Sequence, residues 1–383
     1  MTEEAKTIQA WEDLEEMDVK ILRGIYANGF EKPSPIQSKS ILPMIQGNDL
    51  IAQAQSGTGK TGAFTVGTLH NIDVSDNSTQ AIILTPTREL TLQVYSVIER
   101  LGSFLEGLVI QTLYGGTSTN TDISKLRENP PHIIVGCPGR TYDMLRRNNI
   151  PNKKIKLLVL DEADEMLSAG FKDQIYNIFQ FLDKDVQLCL FSATLPRELS
   201  NLTEKFMRDP VKILVKSDML TLEGIRQYYV ALDDDHAKYL TLKDLYATIS
   251  VSQCIVYCNS IKRVKELHDA MKEDNFPVTC IHSSMEREER EDAYKQFKEG
   301  KYRVLISSNV TARGIDIQQV STVINFDVPK CVHTYLHRIG RSGRWGRKGV
   351  GINFVTQRDM RSLRNIEQHY QTEINELPAD FVN

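Results

Sequence analysis

Eight residues, Ala54-Gln55-Ser56-Gly57-Thr58-Gly59-Lys60-Thr61, join an apolar run that opens at Leu50 to a helical stretch that reaches Asn71. A strand feeding a small-residue loop and then a helix is half of a crossover, and crossovers build parallel sheets. The rest of the chain keeps this rhythm. Strands are predicted at Leu50–Ala54, Ala81–Thr85, Ile133–Gly136, Leu157–Leu160, Leu188–Phe191 and Val211–Val215, with helices over Thr61–Asn71, Leu90–Leu101 and Lys172–Phe181. The pattern then repeats. Strands are predicted at Gln227–Ala231, Cys254–Tyr257, Val278–Ile281, Val304–Ser307, Val323–Phe326 and Ile352–Val355, with helices over Lys262–Glu273, Glu286–Lys298 and Met360–Tyr370. The expected class is α/β, in two units with mostly parallel sheets flanked by helices.

The length of 383 residues suits two such units better than one core. The polar stretch 216–224 reads as a linker between residues 29–215 and 225–383, with an N-terminal arm over 1–28. Hydrophobic residues make up 41% and charged residues 25%, which excludes a disordered chain. No apolar run reaches the length of a membrane span, and the acidic start is unlike a secretory signal. Six scattered cysteines without a C-x-x-C pair suggest reduced thiols. An intracellular protein, cytoplasmic or nuclear, is therefore expected. The formal charge of -4 argues against a passive coat for a polyanion. Yet residues 301–350 hold nine Lys/Arg against two acidic residues, four of the nine within Arg341–Lys348. A solvated surface explains most charge runs, but glycines interrupt this one.

The octapeptide has a direct chemistry. Small residues at Ser56, Gly57, Thr58 and Gly59 let backbone N–H groups turn toward phosphate oxygens, and a helix N-terminus adds its positive end. Lys60 reaches the outer phosphates, and the Thr61 hydroxyl suits Mg²⁺. Ala54 stands where a first glycine is usual. A second signal follows the apolar run Leu157–Leu160, where Asp161-Glu162-Ala163-Asp164 falls at the carboxyl end of a parallel strand, the place ligands occupy in open α/β sheets. Alone, these residues fit a solvated loop equally well. Beside the phosphate loop, Asp161 is placed to hold the water shell of Mg²⁺ and Glu162 to act as general base.

Together the phosphate loop and the Asp-Glu-Ala-Asp run resemble the DEAD-box ATP-dependent RNA helicases, over about Trp11 to Tyr370. Gly29–Ser34, Phe206–Pro210, Leu222–Ile225 and Ile366–Gln368 resemble the subfamily of eukaryotic translation initiation factor 4A and its exon junction complex paralogue. The resemblance implies two tandem RecA-like domains with ATP bound in the cleft between them. It implies RNA-dependent ATP hydrolysis, with local, non-processive duplex unwinding or RNA–protein remodelling, in translation initiation or mRNA metabolism.

It also implies roles for residues that pattern alone leaves open. Phe30 and Gln37, otherwise a core phenylalanine and a helix glutamine, match the adenine clamp, and Trp11 takes the place of an upstream aromatic. Ser192 and Thr194 of Ser-Ala-Thr relay between the ATP and RNA sites through Asp164. Arg341 and Arg344 are arginine fingers, His337 bridges toward Asp164 and the attacking water, and Asp316 accepts ribose hydroxyls. RNA contacts fall to Thr87, Arg88, Gly116, Gly139 and Arg140, then to Asn259, Arg290, Ser308 and Gly314. Each of these alone fits a cap or a turn. As hydroxyls, glycine amides and guanidiniums they read phosphate and 2′-hydroxyl groups without a base code. The implied partners are RNA and a possible scaffold protein bridging the domains, with no membrane, and a monomer suffices.

The chain departs from the family pattern at Cys137, at Arg287, at Ser308-Asn309 in place of Thr-Asp, and at His282-Ser283-Ser284 in place of His-Gly-Asp. These put RNA grip and unwinding in doubt more than ATP turnover. Two rivals remain: an ATP-locked RNA clamp with little turnover, and an unrelated P-loop phosphotransferase with no need for Arg341 or Arg344.

Overall fold

A computed structural model describes residues 7–14, 17–54, 57–214, 225–249, 252–309, 320–340, 342, 349–378 and 381. The chain divides into two units, Met1–Val215 and Lys216–Asn383. In the first, Leu50–Gln53 (β1), Ala81–Leu84 (β2), Ile110–Leu113 (β3), Ile133–Gly136 (β4), Leu157–Asp161 (β5), Gln187–Ser192 (β6) and Val211–Leu214 (β7) form one sheet. Its order is β3-β4-β2-β5-β6-β1-β7, and every pairing is parallel. In the second, Ile225–Ala231 (β8), Gln253–Tyr257 (β9), Val278–Ile281 (β10), Val304–Ser307 (β11), Val320–Asn325 (β12), Gly349–Val355 (β13) and Asn375–Glu376 (β14) pair in the order β10-β11-β9-β12-β13-β8-β14, again all parallel. Strand for strand, this is the order of the first sheet. The sequence shows no repeat, yet both units are wound the same way.

Buried parallel strands read as continuous apolar runs because both faces are covered. In β2, Ala81 and Ile83 face one cluster with Phe64 and Val94, while Ile82 and Leu84 face another with Met144 and Ile178. In the second unit, Ile255 and Tyr257 of β9 pack with Leu336 and Leu363, and Cys254 and Val256 pack with Leu245 and Leu267. The arm before Gly29 packs into the first unit. Ile8, Trp11, Leu14, Ile21 and Ile25 are all buried in its core.

The strands fall within two or three residues of the sequence reading, with one addition among the longer ones. The edge strand β3, Ile110-Gln111-Thr112-Leu113, carries no apolar run, and Gln111 is buried by donating to the Asp122 carbonyl. Several helices add to those read from the sequence. Pro35–Ile45 contains Pro43, Thr119–Glu128 is mostly polar, and Asp235–Ile249 shows weak periodicity.

Candidate active site

At the carboxyl end of β1 the chain enters the phosphate loop. The Ala54 N–H donates to the Ser192 carbonyl at 3.0 Å. Gln55 and Ser56 lie outside the described residues; Gly57, Thr58 and Gly59 lead into the helix Lys60–Asn71. Gly59 has φ +103°, a conformation that favours glycine, and a Cβ there would stand 2.7 Å from Ser34 Oγ. Lys60 is almost wholly buried. Its Nζ donates to the Ala54 carbonyl at 2.9 Å and lies 3.4 Å from Glu162 Oε1. Thr61 follows, half-buried, in the first turn.

Asp161 ends β5, in register with Phe191 of β6. Glu162, at φ +50° and ψ +51°, sits in the left-handed region and opens the helix Ala163–Ser168. A non-glycine residue held there is strained, and such strain gathers at functional sites. Asp161 Oδ1 and Glu162 Oε2 are buried with no hydrogen-bond partner among the described residues. Burial, reinforced by the charge of Glu162 and opposed by Lys60, raises the Asp161 pKa well above the usual carboxylate range. Adjacent carboxylates with unsatisfied oxygens are hard-oxygen donors of the kind Mg²⁺ prefers.

The Ser-Ala-Thr run follows β6 directly. Asp164 donates its N–H to Ser192 Oγ at 3.2 Å, and its Oδ2 accepts from Thr194 Oγ1 at 2.6 Å. Ser192 Oγ in turn donates to the Thr194 carbonyl at 2.7 Å. These bonds tie the end of β5 to the end of β6.

Gln37 joins two elements. Its Oε1 accepts the Ser34 N–H at 2.7 Å at the start of the helix Pro35–Ile45, and its Nε2 donates to the Gly59 carbonyl at 3.1 Å. Phe30 is half-buried beside it. The Trp11 indole N–H donates to the Phe30 carbonyl at 2.9 Å, and Trp11 is fully buried. A Cβ on Gly62 would lie 2.6 Å from Gln37 Nε2 and 3.3 Å from the Phe30 ring. Phe30 and Gln37 thus meet over the first turn of the phosphate-loop helix.

The sheet order sorts the remaining residues. Phosphate-loop and acidic residues follow β1, β5 and β6; Thr87, Gly116 and Gly139 follow β2, β3 and β4, the three strands at one edge. Thr87 caps the helix Arg88–Leu101, its Oγ1 accepting the Leu90 N–H at 3.3 Å. Arg88 is largely buried and lies over the Tyr114 ring. Nothing lies within 4 Å of a Cβ built on Gly116 or Gly139, so both backbones are open to approach. Arg140 points inward: it pairs with Asp122 and donates to the Thr117 hydroxyl and carbonyl. It braces the Gly116 loop. Cys137 begins the helix Pro138–Arg146 without a side-chain cap, and its thiol, pushed up to about 11 by burial, lies 3.6 Å from Thr91 Oγ1.

The second unit repeats this partition. Asn259 follows β9, Arg290 lies on the helix after β10, and Ser308 follows β11. Between these loops stands a residue to which the sequence reading gave no role. Arg338, fully buried in the helix Val332–Ile339, donates from Nη2 to Asn259 Oδ1 at 2.8 Å and to Asn309 Oδ1 at 2.6 Å. Its Nη1 donates to Asn325 Oδ1 and to the Asp327 carbonyl, and its guanidinium lies over the Tyr257 ring. The Asn309 departure therefore falls on a contact inside this unit: the amide keeps an acceptor where the family pattern has a charge. The available signal was an arginine among Tyr335, Leu336 and Ile339 on an apolar helix face. His337 is buried on the same helix. Gly314, Asp316, Arg341 and Arg344 lie outside the described residues.

Comparison with known proteins agrees with this geometry. A DEAD/DEAH box helicase model matches residues 34–202, and a helicase conserved C-terminal domain model matches residues 237–346. The chain is 52% identical over 359 residues to the ATP-dependent RNA helicase FAL1 of Mycosarcoma maydis, covering 94% of this chain and 90% of that protein. It is 50% identical over 378 residues to eukaryotic initiation factor 4A of Caenorhabditis elegans, covering 99% and 93%. Among solved structures, S. cerevisiae Dbp5 bound to RNA and ADP BeF3 is similar at a TM-score of 0.89 and 34% identity, covering 97% of this chain and 96% of that one. Mss116p bound to ssRNA and AMP-PNP is similar at a TM-score of 0.87 and 25% identity, covering 99% and 82%.

Proposed function

The chain belongs to the DEAD/DEAH box helicase family, and from that premise we propose how its residues divide the work of an RNA-dependent ATPase that remodels RNA. The observation that carries the reading is the convergence of Lys60, Asp161 and Glu162 at the carboxyl ends of β1 and β5, with Asp164 bonded to Ser192 and Thr194 beside them.

ATP binds with its base against Phe30 and Gln37 and its phosphates along the loop Ser56–Gly59 and the N-terminus of the helix Lys60–Asn71. Lys60 exchanges the Ala54 carbonyl for the outer phosphates. Thr61 and Asp161 would hold Mg²⁺, which would supply charge neutralisation at the phosphate oxygens. Glu162, whose Oε2 has no hydrogen-bond partner among the described residues, accepts the proton of the attacking water. We assign the charge that offsets the developing γ-phosphate charge to Arg341 and Arg344, with His337 beside them and Asp316 on the ribose.

RNA runs along the loops that follow β2, β3 and β4, and along those that follow β9, β10 and β11. Gly116 and Gly139, with open space where a side chain would stand, let the RNA backbone come close, so binding is independent of sequence and weakens as salt rises. The Asp164–Ser192–Thr194 bonds join the ATP half of the first sheet to the loop after β6 and carry the coupling. Unwinding is local and non-processive. Likeness to initiation factor 4A supports a setting in translation initiation or mRNA metabolism. One chain carries every group the chemistry needs, so a monomer acts, and a scaffold protein that engages both units can tune it. A low-turnover clamp is not favoured, because Lys60 and Glu162 are both in place.

The test is ATP turnover with single-stranded RNA, with DNA or with neither, repeated on Glu162→Gln. RNA alone stimulates the native chain, and Glu162→Gln lowers turnover by about a hundredfold or more while nucleotide binding persists. Equal turnover under all three conditions, or full activity in Glu162→Gln, overturns the reading.

A further inference from the structure

A line of buried polar side chains crosses the second sheet. Arg338 Nη1 donates to Asn325 Oδ1 at 3.0 Å, and Asn325 Nδ2 donates to Asn353 Oδ1 at 2.9 Å. Asn353 Nδ2 donates to Tyr335 Oη at 3.3 Å and to the Tyr228 carbonyl at 2.9 Å. Tyr335 Oη donates to Gln227 Oε1 at 2.7 Å, and Gln227 Nε2 donates to Thr372 Oγ1 at 2.9 Å. Every step donates in the same direction, the arrangement in which each bond polarises the next. Arg338, Asn325, Asn353 and Tyr335 have no exposed surface.

Burial alone does not explain these residues. Asn325 and Asn353 are register partners on the neighbouring parallel strands β12 and β13, flanked by Ile324, Ile352 and Phe354. Asparagine is disfavoured in strands, and a branched apolar pair would fill such a site at lower desolvation cost. What the pair does is fix the Arg338 guanidinium, whose other nitrogens hold Asn259 after β9 and Asn309 after β11.

We propose that Asn325, Asn353 and Tyr335 are positioning residues for the RNA response. They hold Arg338 so that the Asn259 loop and the Ser308-Asn309 loop present one surface to the RNA backbone, and they anchor that surface through Gln227 to the turn at Thr372. This rests on the assignment of Asn259 and Ser308 to RNA made above. None of the three touches RNA or ATP, so their effect belongs in the RNA dependence of turnover.

The test uses the full chain with two substitutions. Asn325→Leu is close in shape and removes the acceptor from Arg338. Tyr335→Phe keeps the ring, removes only the hydroxyl, and decides the matter if Asn325→Leu fails to fold. Turnover is measured against RNA concentration, with the KM for ATP in the absence of RNA and the melting temperature alongside. Coupling changes along such networks predict that half-saturating RNA rises about threefold to thirtyfold in Asn325→Leu and less, in the same direction, in Tyr335→Phe. The KM for ATP without RNA stays unchanged. Folded variants with the native half-saturation and a lowered melting temperature reduce the network to a structural role and overturn the proposal. A native chain without RNA stimulation overturns the underlying RNA assignment instead, so the two failures are distinct.

Discussion

Among individual residues, two of those assigned to the chemistry, Glu162 and Gly59, sit where backbone geometry is least forgiving. Glu162 holds a left-handed conformation, and Gly59 holds one that a side chain would strain. Gly62 is constrained differently, because its missing Cβ leaves room for the Gln37 amide and the Phe30 ring. Gly62→Ala is therefore expected to raise the KM for ATP about tenfold by pushing Gln37 off the Gly59 carbonyl, while alanine's higher helix propensity, worth up to ~1 kcal/mol, sustains stability. ATP titration of steady-state turnover, with a melting curve beside it, checks this. An unchanged KM contradicts the adenine role of the pair. Gly59 and Glu162 were legible in the sequence because their signal is local: eight consecutive residues make a phosphate loop, and four make the acidic run, whereas Phe30 and Gln37 were singled out only by the family resemblance. Arg338 was not legible. Its partners Asn259, Asn309, Asn325 and Asp327 come from separate stretches, which meet only because β9, β11 and β12 end side by side.

Two helices absent from the sequence reading, Val19–Ala27 and Asp235–Ile249, are held by contacts with other segments, the first by close packing and the second by charge. The helix Val19–Ala27 lies against the helix Arg88–Leu101 so closely that a Cβ on Gly24 would come 1.9 Å from the Leu101 carbonyl oxygen. Gly24→Ala forces the two apart, and a loss of about 1–3 kcal/mol is expected from overpacking. Urea unfolding reads it as a lower midpoint at unchanged slope. In the second unit, Arg263 on the helix Ile261–Glu273 grips Asp327 after β12 and Asp235 at the start of the helix Asp235–Ile249. Hydrogen bonding to Arg263 holds the Asp235 carboxyl below its usual pKa. The folded value lies below the unfolded one, so the stabilisation is complete above about pH 4 and fades as pH falls through the folded value. Asp235 is largely exposed, so the effect is small, under about 1 kcal/mol. Melting temperatures from about pH 6 to about pH 3 should fall less steeply in Arg263→Leu than in the native chain. Parallel acid profiles contradict the clamp.

For the whole molecule, two units wound in one strand order place ligand loops at matching strand ends. If ATP and RNA favour the same state of the chain, each tightens the other by one shared factor, in the range of about 5- to 150-fold. Binding a non-hydrolysable ATP analogue with and without RNA, and RNA with and without the analogue, measures that factor twice. Unequal factors, or a factor of one, contradict the coupling. The amino-acid sequence by itself determined the features whose residues are contiguous and whose chemistry is intrinsic: the phosphate cradle, the acidic run, the alternation of strand and helix, and the division into two α/β units. The order of strands was not readable, because pairing partners lie far apart in the chain and apolar strands look alike. Tertiary structure alone decided that the two sheets share one winding. It also decided that Arg140 turns inward to Asp122 and that Arg338 gathers three loops. A buried charge is tolerable only where distant segments bring it enough acceptors, and the fold determines which segments those are.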